Sequence, residues 1–113
     1  MISDKCCGCE SPLAYDLDAI SVSDRPRYDE LRRMVAAAIT GKRELSDGIA
    51  VQIATERMAL GLLAEWISFE RKCCPFFEFR IDVAPMSGPV WLSLTGRAGV
   101  KEFLAQAFAG TAN

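Results

Sequence analysis

Apolar and polar positions run along this chain in two rhythms, one at helical spacing and one at strand spacing. Residues 1–22 show neither, and read as an irregular N-terminal arm. Ser23-Asp24-Arg25-Pro26 then offers a capping side chain and a first-turn proline, a helix start. Leu31, Met34, Val35, Ala38 and Ile39 recur at helical spacing behind it, and Gly41 ends the run. Ser46-Asp47-Gly48 reads as a turn into a short strand, with Ile49, Val51 and Ile53 alternating with Ala50 and Gln52. Thr55 is placed to cap a second helix that extends to about Cys73.

Beyond Cys73 the period changes to two. Phe77, Phe79, Ile81 and Val83 share one face, and Glu78, Arg80 and Asp82 the other, the alternation of a sheet with one solvated face. Pro85-Met86-Ser87-Gly88-Pro89 supplies a turn, and Val90, Leu92 and Leu94 a return strand with Trp91 and Ser93 opposite. Thr95-Gly96 leads into a last helix striped with Val100, Phe103, Leu104, Ala107 and Phe108. The order predicts an α+β fold: a small antiparallel sheet of about three strands, including a hairpin at 76–95, with three helices packed mainly on one face. Residues 1–113 fit one domain, large enough for a core without disulfides.

Composition narrows the function classes. A net charge of −2 argues against nucleic acid or an anionic membrane as the partner. Charges interrupt every apolar stretch well short of a membrane span, and Met1-Ile2-Ser3-Asp4-Lys5 opens no signal-peptide run. A soluble, cytoplasmic protein is expected, with apolar surface through which a homodimer could form. Histidine is absent altogether, which removes the usual proton shuttle and the commonest metal-nitrogen ligand.

All five cysteines fall into two groups, Cys6-Cys7-Gly8-Cys9 and Cys73-Cys74. In a reducing compartment such clusters point to metal or redox chemistry, and an odd number cannot be fully paired in disulfides. On a helical projection Arg57, Gly61, Glu65, Ser68 and Lys72 form the solvent stripe of the second helix. Glu70 projects opposite them, into the apolar arc, and Cys73 and Cys74 follow at three and four residues, flanking it if helical geometry persists. A carboxylate there is costly unless paired, hydrogen-bonded or coordinating. Its structural explanation is an internal ion pair to Arg71, Arg80 or Arg33; its functional one is a place beside two thiols.

For Cys73 and Cys74 the structural explanation is two small buried hydrophobes. Against it, Pro75 halts the helix at the pair and fixes the path into the next strand. Thioredoxin-type chemistry favours thiols at helix N-termini, whereas these stand at a C-terminus beside a carboxylate. A metal ion brings its own charge and deprotonates thiols on binding. Cys6, Cys7 and Cys9 are compact soft donors that suit copper(I) or a similar ion, and at their spacing a zinc ribbon is a poor fit. Their structural explanation is an N-terminus with incidental cysteines.

Two weaker features remain. Thr95-Gly96-Arg97-Ala98-Gly99 could bind an anion at a helix start, though such glycines more often serve the turn. Trp66, Phe69, Phe76, Phe77 and Phe79 could wall a pocket, though their spacing suits a core.

The run Trp66-Ile67-Ser68-Phe69-Glu70-Arg71-Lys72-Cys73-Cys74-Pro75-Phe76-Phe77-Glu78-Phe79, with Trp91 to Gly96 and Gly99 to Leu104, resembles a family of small uncharacterised bacterial proteins. The family's hallmark is Glu-Arg-x-Cys-Cys-Pro-Phe, followed by a hairpin and a Gly-Val-Lys-Glu-Phe helix start. The resemblance covers residues 45–105 and implies that Glu70, Cys73 and Cys74 belong together; it implies no reaction.

The expected function is therefore binding, buffering or sensing of a soft or thiophilic metal ion (zinc, copper(I) or mercury-like). Cys73 and Cys74 would be ligands, Glu70 a ligand or its neighbour, and Cys6, Cys7 and Cys9 auxiliary ligands. The alternatives are a thiol-dependent reductase or transferase, and a structural or interaction module with buried cysteines.

Overall fold

A computed structural model describes residues 16–107. After two 3-10 turns, at Leu17–Ala19 and Val22–Asp24, the elements are α1 (Arg25–Ala38), β1 (Ile39–Leu45), β2 (Gly48–Ile53), α2 (Leu60–Cys73), β3 (Glu78–Val83), β4 (Val90–Thr95) and α3 (Val100–Ala107). The expected α+β class holds: three helices and one antiparallel sheet, ordered β1-β2-β4-β3.

The sheet has four strands, one more than the hydrophobic pattern suggested. Ile39 does not close the stripe of α1 but opens β1, with an extended backbone at φ −73° and ψ 122°. β1 has no apolar alternation to mark it, because Lys42, Arg43 and Glu44 are exposed at the sheet edge. Its pairing with β2 shifts register between Ile39 and Gly41. α2 begins at Leu60, four residues later than the Thr55 cap would place it, after a turn in which Met58 is already buried. Phe108, assigned to the last helical stripe, lies outside the described residues.

Alternation within the strands decides which face is covered. Ile49, Val51 and Ile53 of β2 and Val90, Leu92 and Leu94 of β4 are buried in one cluster with Tyr28, Leu31 and Val35 of α1, Leu63 and Trp66 of α2, and Val100 and Leu104 of α3. The opposite sheet face is polar, with Arg43 stacked over Trp91 at 4.1 Å, and Arg80 and Asp82 beside them on β3. Gly48 starts β2 where only glycine fits: a Cβ there would lie 1.9 Å from the Leu94 carbonyl oxygen. The aromatic run is core, as its spacing suggested, with Phe76 in edge contact with Phe77 and Phe103, those two tilted against each other, and Trp66 meeting Phe79 edge-on.

No helix among the described residues is long and apolar enough to cross a membrane.

Candidate metal centre

The last turn of α2 carries the chemistry. Its apolar stripe turns Leu63, Trp66, Glu70 and Cys73 inward, and basic Arg71 and Lys72 point to solvent, where they suit the negative end of the helix dipole. Cys74 leaves the helix at φ −135° and ψ 69°, yet its N–H still donates to the Glu70 carbonyl at 2.7 Å. That bond preserves the helical turn long enough to keep the Cys74 side chain on the side of Glu70. Pro75 then stops propagation, since it has no N–H to donate.

Glu70, Cys73 and Cys74 accordingly meet. One ligand atom from each lies within 4.8 Å of the others, and relative exposure is 1% for Glu70 and 0% for both cysteines. Cys73 Sγ sits 3.9 Å from Glu70 Oε1, and the Cys74 thiol donates to Cys73 Sγ at 4.0 Å. Both thiols are free of disulfide bonds. A group of this composition and compactness could hold a metal ion.

The hydrophobic pattern passed over the fourth member. The Tyr28 hydroxyl, from the first turns of α1, donates to Glu70 Oε2 at 2.6 Å and lies 3.7 Å from Cys73 Sγ. A signal was present: Tyr28 stands three and seven residues before Leu31 and Val35, on the buried stripe of α1, and a buried tyrosine hydroxyl needs a polar partner. Sequence cannot say which one, because the partner is 42 residues away. The ion-pair explanation of Glu70 is not the arrangement seen. Arg33 is bonded to Asp29, Arg80 approaches Asp82, and Arg71 is exposed.

Burial sets the protonation of the cluster. It pushes the Glu70 carboxyl above its ordinary range, against the pull of the Tyr28 hydrogen bond, the Cys74 thiol and, at longer range, Arg32. Tyr28 is pushed up by burial and by the Glu70 charge, so it stays a donor. Cys73, which accepts the hydrogen bond from Cys74, is pulled below the usual thiol range; Cys74, giving that bond and buried, is pushed far above it. The hydrogen bond between them thus makes Cys73 the more acidic thiol of the pair and Cys74 the less acidic. A cation at the pair would override that difference by stabilising both thiolates.

The chain reaches the pair from its N-terminal side as well. The Asp16 N–H donates to the Cys73 carbonyl at 3.0 Å, and Ile20 is buried. Cys6, Cys7 and Cys9 precede this anchor and lie outside the described residues. The glycines at 96 and 99 serve the turn into α3: a Cβ on Gly96 would lie 2.8 Å from the Phe76 carbonyl oxygen, and Gly99 has φ 96°.

Comparison with family models, curated proteins and solved structures returns no match.

Proposed function

We propose that this protein binds a soft, thiophilic metal ion between Cys73 and Cys74, with Glu70 as the third donor. The observation that carries this reading is the fully buried trio of donor atoms within 4.8 Å of one another. Thiolates about 2.3 Å from a tetrahedral ion lie roughly 3.8 Å apart. The sulfur atoms here are 4.0 Å apart, so an ion could seat with little rearrangement. Tyr28 holds Glu70 by Oε2 and leaves Oε1 towards Cys73.

Cys6, Cys7 and Cys9 serve this reading as auxiliary ligands. Seven residue steps separate Cys9 from Asp16, a span of at most about 25 Å when extended. Asp16 is anchored on Cys73 itself, so all three N-terminal thiols fall within reach of the pair.

Binding is favoured over thiol turnover by burial, because a disulfide substrate needs access that neither thiol gives it. The test is elemental analysis of untagged protein. Stoichiometric metal, lost in Cys73→Ser/Cys74→Ser and retained in a surface control such as Ser68→Ala, supports the reading. Metal-free protein that also fails to take up zinc or copper(I) under reducing conditions sinks it.

A further inference from the structure

The sheet order leaves β1 and β3 at the edges, each with one strand neighbour among the described residues. An edge strand presents a row of unpaired backbone groups, a template for another chain. β1 is blunted by its register shift, and by Lys42 and Glu44, which stand exposed; Glu44 is also 3.6 Å from Lys101. β3 also bears exposed charges, Glu78, Arg80 and Asp82, but has no register shift. Its six residues pair with β4 in unbroken register, and its apolar flank of Phe79, Ile81 and Val83 ends in a valine that is 56% exposed.

We infer that β3 is a self-association edge, through which two copies of this chain pair antiparallel about a two-fold axis at Ile81. The register follows from charge and overlap: an axis at Phe79 would oppose Glu78 to Arg80 but pair only residues 78–80 of β3, whereas an axis at Ile81 pairs 79–83. In such a pairing, opposed side chains lie on the same face of the sheet. An axis between two residues would set apolar-flank side chains against polar-flank ones. An axis at Arg80 would oppose Arg80 to its own copy and Glu78 to Asp82, like charges at every polar position. The axis at Ile81 opposes Arg80 to Asp82 of the second copy, twice, and Phe79 to Val83, twice. It extends the apolar layer across the joint and matches opposite charges along the polar face. Within one chain, Arg80 and Asp82 approach only to 4.0 Å, with side chains 71% and 61% exposed, so both heads remain accessible to a second copy.

One added strand pair is a small interface, so the dimer depends on concentration. Sedimentation of the full chain over a wide concentration range, with reductant and chelator to suppress disulfide- and metal-linked species, tests it. The expected result is reversible conversion from 12.4 kDa to twice that mass. Asp82→Arg and Arg80→Asp should each weaken association about tenfold or more, since each sets like charges opposite one another twice. Mixing the two variants should restore it, because in the mixed dimer every reversed charge meets its complement. Both positions are solvent-exposed, and circular dichroism checks that each variant folds. A monomer at every concentration overturns the inference. So does a dimer indifferent to both reversals, or single variants whose mixture recovers nothing.

Discussion

Tyr28 and Glu70 are joined by a 2.6 Å hydrogen bond that ties the first turns of α1 to the last turn of α2. It is the direct polar link between a buried carboxyl and a neighbouring element. The pair explains how Glu70 is tolerated where an arginine partner was expected, and it leaves one carboxyl oxygen turned to the thiols.

Tyr28→Phe keeps the ring and removes the donor. A buried acceptor that loses its partner costs about 1–3 kcal/mol, so urea unfolding of the metal-free protein should show a loss of that size at neutral pH. The loss should shrink as the pH falls and Glu70 takes up a proton, because the bond to a charged acceptor is the stronger one. A loss that is constant with pH would mean that the hydroxyl matters only for packing.

Glu70→Gln is expected to stabilise the metal-free protein. The folded carboxyl holds its proton at higher pH than the unfolded one. Glu70 therefore costs stability once the pH rises above the unfolded carboxyl range, and the full cost is reached above the folded value. Glutamine accepts from Tyr28 without that cost, so the variant gains stability near neutral pH and the gain vanishes in acid. An ion-paired Glu70 would give the opposite sign. The same variant should bind metal more weakly, which thermal melts with and without added zinc would read out.

Cys74→Ala should raise the thiol pKa of Cys73. The hydrogen bond from Cys74 is the largest influence holding Cys73 low, and without it burial and the Glu70 charge push upward. Thiolate ultraviolet absorbance followed through a pH titration measures this directly. An unchanged or lower pKa would show that the sulfur–sulfur contact does not govern the pair.

Alkylation of Cys73 and Cys74 in the folded, metal-free protein should be slow and limited by opening, since both are fully buried. The rate should rise with denaturant in step with local or global unfolding, as mass spectrometry of the modified peptide can follow. Rapid modification under native conditions would favour the reductase or transferase alternative.

Gly48→Ala should destabilise the sheet by about 2 kcal/mol or more, whatever its effect on the site. The added methyl would meet the Leu94 carbonyl at 1.9 Å, and a paired backbone cannot yield as a flexible side chain can. Denaturant unfolding checks it, and a neutral result would show that β2 can shift against β4.

Elements whose stabilising contacts are local were legible in the chain itself. α1 declares itself through Pro26 and the spacing of Leu31, Val35 and Ala38; the β3–β4 hairpin through strict alternation around its proline-flanked turn; and the Glu70–Cys73–Cys74 face through a helical period that puts three and four residues on one side. β1 was not legible. Its strand conformation comes from pairing with β2, and at an edge its side chains need follow no apolar pattern. Nor was the late start of α2, since by type Thr55 is the better cap and Ala59, which has no capping side chain, is the position where the helix begins.

What the sequence determined by itself was the inventory and its local order: sulfur and carboxylate without histidine, placed at a helix end by period and proline. The tertiary structure alone decided that Glu70 would face a tyrosine rather than an arginine, and that the two thiols would differ in acidity. The reason is physical. Period and capping act over a single turn of chain, whereas desolvation and the choice of hydrogen-bond partner depend on which distant segment packs against that turn.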